Sequence, residues 1–290
     1  MIDFDKGEER LNKFLGSEVK TTILYEGTIY MIKYPDPIRD THNILSYMNN
    51  QFSEHIGCCI FNACGMEAQE TVMGYYTDPK GTRKTVVACK DFTQDGSTLY
   101  EFSKLGNQTQ VEGKMGVTIE SVQNILDSNA LITDKTGILS NFWNMFVLDA
   151  LIGNPDRHFD NWGILERDGQ IRFAPVYDCG SSLAALTDDR NMDKIRSNPS
   201  VFKNEEYNLT SCYYHSGKRV FYHEIFKAPP EELAAAVRRI VPKIGMSKIH
   251  EIVDTTPEMS DVRKQYLKAA LDLRYKEILQ PALKRAQQQE

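Results

Sequence analysis

The feature that most restricts the fold of this chain is an apolar segment that ends in a polar loop, followed by a hairpin. Residues 138–153 are mostly apolar and predict a buried helix. Asn154-Pro155 ends that helix, because proline disfavours helical backbone in the residue before it. Asp168-Gly169 is a strong hairpin-turn signal between two short strand-like runs. The sequence therefore predicts a helix, a polar loop and a hairpin in that order.

The residues before this segment predict a β-rich unit. Strand-forming residues from Thr22 to Lys33 are interrupted by the turn signal Glu26-Gly27, which predicts a hairpin. A helix is expected from Ile44 to Ala63, with strands on either side of the turn-rich stretch that follows it. After Asp91-Phe92 the pattern becomes mostly helical, with three amphipathic segments at the carboxy-terminal end. We therefore predict an α+β fold with an N-lobe over residues 1–92 and a C-lobe over residues 93–290.

Composition limits the classes of protein that this chain can belong to. Its 41% hydrophobic and 26% charged residues are typical of a folded globular protein and argue against disorder. The longest apolar run, residues 142–153, is too short to span a bilayer, and the first ten residues do not resemble a secretory signal. A net charge of −6 provides no general attraction to nucleic acid. We expect a cytoplasmic protein with reduced cysteines and no direct nucleic-acid partner.

Three polar residues at a defined spacing carry the predicted chemistry. In phosphoryl transfer, one Asp meets the incoming hydroxyl, while an Asn and a second Asp hold the magnesium ions. Asp156 and Asn161 are five residues apart, the separation between base and metal ligand in the protein-kinase catalytic loop. Asp178 follows one hairpin later, with a glycine two residues beyond it. The pattern predicts an ATP- and Mg²⁺-dependent kinase with Asp156 as base and with Asn161 and Asp178 as metal ligands.

The same stretch resembles the catalytic segment of the HipA-like kinases, whose loop has the form Asn-x-Asp-x-His-x-x-Asn and whose metal motif is Tyr-Asp. The resemblance implies a bilobal protein-kinase-like fold and transfer to a Ser/Thr hydroxyl of a protein, with autophosphorylation. It also implies an antitoxin or regulatory protein as a partner. The Asp-Arg-His core is similar to the loop of phosphatidylinositol 3- and 4-kinases too, which keeps lipid acceptors open. The matching residues are Asn154, Asp156, His158, Asn161, Tyr177 and Asp178.

Two charged residues of the first lobe are candidates for positioning the nucleotide. Lys33 ends a predicted strand and is the candidate to pair with the α- and β-phosphates; as a strand-end lysine, it is expected to contribute little to the core. Glu54 lies on the next predicted helix and is expected to pair with Lys33, with Glu67 and Glu70 as alternatives. Lys20 is the alternative phosphate contact.

The resemblance implies two further nucleotide contacts. It places Lys90, Asp91 and Phe92 at the hinge, where backbone groups read the adenine edge. No Gly-x-Gly-x-x-Gly loop is present in the first lobe, and residues 16–22 take its place, with Ser17 as the nearest match to an autophosphorylated serine. The hydroxyls of Thr21 and Thr22 are further candidate donors to phosphate.

Several other functions remain open from the sequence. His158 is expected to orient the loop through hydrogen bonds; the alternative makes it a metal ligand of a hydrolase, together with Asp156, Asp160 and Asp178. The acceptor of a kinase could be a protein, a lipid or a small molecule. A non-catalytic nucleotide-binding or toxin–antitoxin interaction module is the remaining class. The presence of all three candidate catalytic residues argues against that class, because a binding scaffold has no chemical need for them.

Overall fold

A six-stranded sheet forms the amino-terminal part of the chain. The computed structural model describes residues 1–11, 20–35, 49–78, 80–106 and 117–288. The strand order is β1-β5-β6-β4-β3-β2, and every neighbouring pair is antiparallel except β1 and β5. The strands are β1 (Ile2–Asp3), β2 (Glu8–Arg10), β3 (Lys20–Tyr25), β4 (Thr28–Lys33), β5 (Thr71–Thr77) and β6 (Arg83–Lys90).

The central hairpin of this sheet forms where the turn signal predicts it. Glu26 and Gly27 connect β3 to β4 with φ values of 48° and 78°, as a two-residue hairpin turn requires. The pairing runs to Lys20 opposite Lys33, and Lys33 lies opposite Val87 of β6 on its other side. Lys33 is therefore the last residue of a strand that has neighbours on both sides.

One helix, α1 (Asn50–Ala63), packs against β5 and β6 and also contacts helices from the carboxy-terminal part. It carries the predicted Glu54 and ends before Gly65, whose φ of 77° turns the chain toward β5. The predicted start of this helix at Ile44 lies outside the described residues.

Helices dominate the rest of the chain, together with a three-stranded sheet in the order β7-β8-β9 and a hairpin of β10 and β11. The strands are β7 (Thr98–Glu101), β8 (Gly163–Arg167), β9 (Gln170–Phe173), β10 (Thr210–His215) and β11 (Lys218–Phe221). The helices are α2 (Ile119–Ser128), α3 (Lys135–Ile152), α4 (Asp189–Arg196), α5 (Pro199–Tyr207), α6 (Tyr222–Ile225), α7 (Glu231–Ile240), α8 (Met246–Thr255), α9 (Asp261–Arg274) and α10 (Gln280–Gln288).

The carboxy-terminal region has the three helical segments that the sequence predicts from Glu231 onward. The first two are α7 and α8. The third consists of α9, a π-helical turn at Tyr275–Leu279 and α10, which follow each other without a break. The hairpin of β10 and β11 was not predicted.

Helix α3 is the centre of the core and determines where the polar loop begins. Asp134 caps its first turn by accepting a hydrogen bond from the Gly137 N–H at 2.8 Å, and Gly153 ends it with a φ of 66°. An aromatic cluster lies against it, in which Phe159 and Trp162 are 1% exposed. Among the described residues, no helix is sufficiently long and apolar to cross a membrane. The α+β prediction is confirmed.

Candidate active site

The loop after α3 is held in place by a buried asparagine. Asn154 donates from Nδ2 to Asp149 Oδ1 of α3 at 3.0 Å and accepts the Asp156 N–H on its own side-chain oxygen at 3.0 Å. Asn154 is fully buried, so both hydrogen bonds are shielded from water. The loop therefore leaves α3 with a defined direction, and Asp156 follows at its first turn.

A buried arginine, which the sequence analysis did not single out, connects the loop to the segment of the second aspartate. Arg157 is 1% exposed and pairs through Nε with Asp149 Oδ2 at 3.0 Å. Its Nη1 donates to the backbone carbonyls of Asn161 at 2.8 Å and Asp178 at 3.2 Å, and it also contacts the Tyr177 carbonyl. One guanidinium thus positions both metal-ligand candidates. The sequence did contain a signal for this pair: Asp149 is the single acidic residue of the apolar helix and lies eight residues before Arg157.

Asp156 has the surroundings of a general base. Its side chain is 39% exposed, and it accepts a hydrogen bond on Oδ2 from Ser181 Oγ at 3.1 Å. Burial raises its pKa, and the charge of Asp178 raises it further, although His158 and Ser181 act in the opposite direction. A carboxylate with a raised pKa takes up a proton more readily than an ordinary aspartate. Ser181 is a second residue that the sequence analysis missed.

His158 lies beside two carboxylates, those of Asp156 and Asp160. Its Nδ1 accepts the Asp160 N–H at 3.3 Å, and its Nε2 lies 3.8 Å from Asp156 Oδ1. Across the described ranges of the chain, no group of three or more His, Cys, Asp or Glu side chains could hold a metal ion. The hydrogen bond from the Asp160 N–H is the kind of contact expected of a histidine that orients the loop.

The two candidate metal ligands keep oxygen atoms available. Asn161 donates from Nδ2 to the Asp156 carbonyl at 2.7 Å, which orients the amide and leaves Oδ1 for another partner. Asp178 has a left-handed φ of 58°, which an aspartate tolerates better than most residues, and its side chain is about one-third exposed. One amide oxygen and one carboxylate that keep part of their coordination for phosphate and water fit Mg²⁺, which prefers oxygen ligands.

Lys33, Glu54 and Asp178 form one charge network, in which Lys33 and Glu54 are buried. Lys33 Nζ lies 2.8 Å from Asp178 Oδ1 and 3.2 Å from Glu54 Oε2, and the Asp178 N–H donates to Glu54 Oε1 at 3.1 Å. Lys33 is 3% exposed and Glu54 is fully buried. Burial raises the pKa of Asp178, but the Lys33 ammonium outweighs burial and brings that pKa to about 2. The expectation that Lys33 contributes little to the core is wrong, because β4 is an inner strand and its last side chain points beneath α1.

The alternatives to Glu54 pair elsewhere. Glu67 lies 2.9 Å from Arg172, and Glu70 lies 2.8 Å from Lys90; both carboxylates are largely exposed. The structure therefore brings only Glu54 of these three to Lys33.

The predicted hinge residues have different environments. The Lys90 N–H donates to the Glu70 carbonyl at 2.8 Å, and the Asp91 N–H donates to a carbonyl of β4 at 2.9 Å, so both are used within the sheet. The ring of Phe92 lies 6.0 Å from that of Tyr177, directly before Asp178 in sequence. Of the three, Phe92 is therefore placed toward the catalytic residues.

The predicted phosphate-covering segment is described only in part. Ser17 lies outside the described residues. The Thr21 hydroxyl shares a hydrogen bond with the Tyr34 hydroxyl at 2.7 Å, and Thr22 is 2% exposed, so neither is presented freely to a ligand. Lys20 lies close enough to Asp178 for its charge to help lower the pKa of that carboxyl.

Together, the sheet with a lysine–glutamate pair and the loop with Asp156 and Asn161 define a protein-kinase-like phosphotransferase. Residues 14–248 match the HipA-like C-terminal domain family. Serine/threonine-protein kinase CtkA of Helicobacter pylori strain J99 is 36% identical over 274 residues, which are 92% of this chain and 82% of that protein. The chain belongs to the HipA-like C-terminal domain family and is a serine/threonine protein kinase.

Solved structures agree with this family. The crystal structure of the Helicobacter pylori proinflammatory kinase CtkA matches with a TM-score of 0.90 at 35% identity, over 100% of this chain and 98% of that one. A chain of the Shewanella oneidensis MR-1 toxin–antitoxin complex of HipA, HipB and operator DNA matches with a TM-score of 0.56 at 14% identity, over 96% of this chain and 68% of that one. The second match shows the fold alone. A protein kinase uses ATP and acts on a protein substrate.

Proposed function

We propose that this kinase transfers the γ-phosphate of ATP to a Ser or Thr hydroxyl with Asp156 as base and with Asn161 and Asp178 as ligands for Mg²⁺. The observation that carries the proposal is the network in which buried Lys33 contacts both Glu54 and Asp178. Burying an ammonium costs free energy. A network that nevertheless holds the Lys33 ammonium beside the partly exposed Asp178 carboxylate therefore supports a role in ligand binding.

Lys33 supplies the positive charge for the nucleotide phosphates. The Glu54 side chain on α1 is fully buried and contacts the Lys33 ammonium. This ion pair holds the ammonium next to Asp178. When bound, Mg²⁺ neutralises charge on the β- and γ-phosphates. Asp178 and the free side-chain oxygen of Asn161 are the residues that would hold it, and Arg157 keeps their two backbones together.

Asp156 would accept the proton of the acceptor hydroxyl. Its raised pKa supports this role, and Ser181 holds Oδ2 so that the carboxylate keeps one orientation. A proton lost from a Ser or Thr hydroxyl as it attacks phosphorus would then have a nearby carboxylate to receive it. Autophosphorylation would use the same base. The antitoxin or regulatory partner, the cytoplasmic location and the two-lobe division at residue 92 stay predictions.

Labelled γ-ATP tests the proposal. The protein is incubated with the nucleotide and Mg²⁺ alone, with a cell extract and with phosphatidylinositol vesicles, and the products are separated by class. We expect label on Ser or Thr of protein and none without Mg²⁺. In the same assay, the variant Asp156→Asn should lose phosphoryl transfer, and Asp168→Asn is its matched control. Asp168 is 91% exposed in the hairpin turn, so the Asp168→Asn variant should transfer phosphate normally. Label on lipid alone, or an absence of Mg²⁺-dependent ATP binding at millimolar nucleotide, would contradict the proposal.

A further inference from the structure

A cavity of about 300 Å³ lies apart from the catalytic residues, where the turn after α1 meets α3, β9 and α7. Three cations line it: Arg172 of β9, Arg239 of α7 and Lys243 just beyond α7. Gly65 forms another part of the wall. None of these residues has a role in the proposed phosphoryl transfer.

The cavity carries an excess of positive charge. Arg172 is balanced by Glu67 at 2.9 Å. For Arg239 and Lys243, the described part of the chain provides no carboxylate within ion-pair distance, which leaves about two uncompensated charges. Burial and the neighbouring Arg238 lower the pKa of Arg239, as expected for a cation without a counter-charge. In a chain with a net charge of −6, two such cations at one cavity are a specific feature.

The guanidinium of Arg239 uses the Nε and Nη2 edge to bind the protein, which leaves Nη1 to donate to a ligand. Its Nε and Nη2 both donate to Asn144 Oδ1, at 3.2 and 3.0 Å, and this bond orients the guanidinium on α3. Its Nη1 makes no hydrogen bond to any residue of the described ranges. An oriented guanidinium with a free amino group matches a phosphate oxygen better than a mobile side chain does.

Lys243 completes the cationic wall beside Gly65. The Lys243 ammonium lies 3.9 Å from the place that a Cβ of Gly65 would occupy, and Gly65 has a φ of 77°. The apolar residues Met66 and Ile240, which are 6% and 2% exposed, form the remaining floor. The cavity thus combines donors on one side with an apolar surface on the other.

We propose that this cavity binds a small phosphate-bearing ligand, with Arg239 and Lys243 as its main contacts. Such a ligand would tie α7 to the turn that follows α1. That turn continues into the segment where the Glu67 carbonyl accepts the Val176 N–H at 2.9 Å, two residues before Asp178. Occupancy should therefore reduce local opening of this turn, whether or not the chain is catalysing phosphoryl transfer.

Hydrogen exchange read by mass spectrometry tests the proposal at the site itself. Inorganic phosphate is the probe, at constant ionic strength, with sodium acetate as the comparison anion. We expect phosphate to slow exchange in peptides covering 65–68 and 236–243. Lys243→Gln should weaken the apparent affinity about threefold or more, and Arg239→Gln about tenfold, because Asn144 orients the planar guanidinium of Arg239, whereas the Lys243 ammonium is a point charge on a flexible stem.

Arg190→Gln is the matched control, since it removes one exposed cation of α4 and should leave the phosphate effect unchanged. Lys243 is exposed, so its variant is expected to fold, and thermal unfolding checks both cavity variants. Phosphate bound at the kinase site would protect other peptides and would survive Lys243→Gln. Equal protection by acetate, protection that persists in both cavity variants, or no protection of 65–68 and 236–243 would overturn the proposal.

Discussion

The charge network of Lys33, Glu54 and Asp178 allows a quantitative prediction about stability. Replacing Lys33 by Met leaves the fully buried Glu54 carboxylate with two hydrogen-bond partners among the described residues, the Asp178 N–H at 3.1 Å and the Cys58 thiol at 3.9 Å. Removing one partner of a buried ion pair costs about 3–5 kcal/mol. Losing the Lys33 contact to Asp178 adds less to this cost than losing the contact to Glu54, because the Asp178 side chain is about one-third exposed and water screens its charge. We expect Lys33→Met to lose about 3–5 kcal/mol of unfolding free energy.

A second substitution tests whether the buried charge is the cause. Glu54→Gln in the Lys33→Met background removes the unpaired charge and should recover about half of the loss or more, so the two substitutions are coupled. Urea unfolding followed by circular dichroism measures all three variants. Lys90→Met is the matched control: Lys90 also ends a strand and pairs with a glutamate at 2.8 Å, but both partners are exposed, and the cost should stay below about 1 kcal/mol. A loss under about 1 kcal/mol for Lys33→Met, or a double variant no more stable than the single one, would refute this reasoning.

Further predictions concern the loop and α1. Asp156→Asn should leave Mg²⁺-ATP affinity within a few-fold and reduce single-turnover transfer by roughly 10²-fold or more, whereas Asp178→Asn should weaken both the affinity and the transfer. Calorimetry measures the affinity and quench-flow measures the transfer. Tight Mg²⁺-ATP binding by Asp178→Asn would disprove the ligand role of Asp178. Ser181→Ala removes the hydrogen bond that lowers the pKa of Asp156, so the acid limb of the kcat/KM profile should move to higher pH; an unmoved limb would separate Ser181 from the base. Burial lowers the pKa of His55, so the contribution of His55 to stability is present above pH 6.5 and is lost as pH falls. His55→Gln should therefore reduce the difference in unfolding free energy between about pH 7.5 and 5.5. An unchanged difference would contradict the assignment of this pH dependence to His55.

Local chemistry accounts for the parts of the fold that were predictable. The turn at Glu26-Gly27 and the helix end before Pro155 depend on the backbone preferences of the residues themselves, so the sequence alone determines them. The catalytic motif is also local, since Asp156 and Asn161 lie in one loop. Its recognition from spacing did not require knowledge of any distant contact.

Other features depend on contacts between distant parts of the chain. The sequence predicted that β8 and β9 would pair, but not that β7 would pair with β8, because those strands are separated by more than sixty residues. The hairpin of β10 and β11 is a local feature instead: Ser216-Gly217 marks its turn, and the sequence analysis did not use that signal.

The site itself was decided partly at each level. The sequence supplied the identities of Lys33, Asp156, Asn161 and Asp178, because their chemistry and order are legible without a fold. Only the tertiary structure selected Glu54 over its two alternatives, and it alone buried Lys33 and brought Arg157 to both loops. The physical reason is that spacing along the chain determines which groups can share a loop or a helix face. Burial and ion pairing are instead set by the packing of elements that meet only when the whole chain has folded.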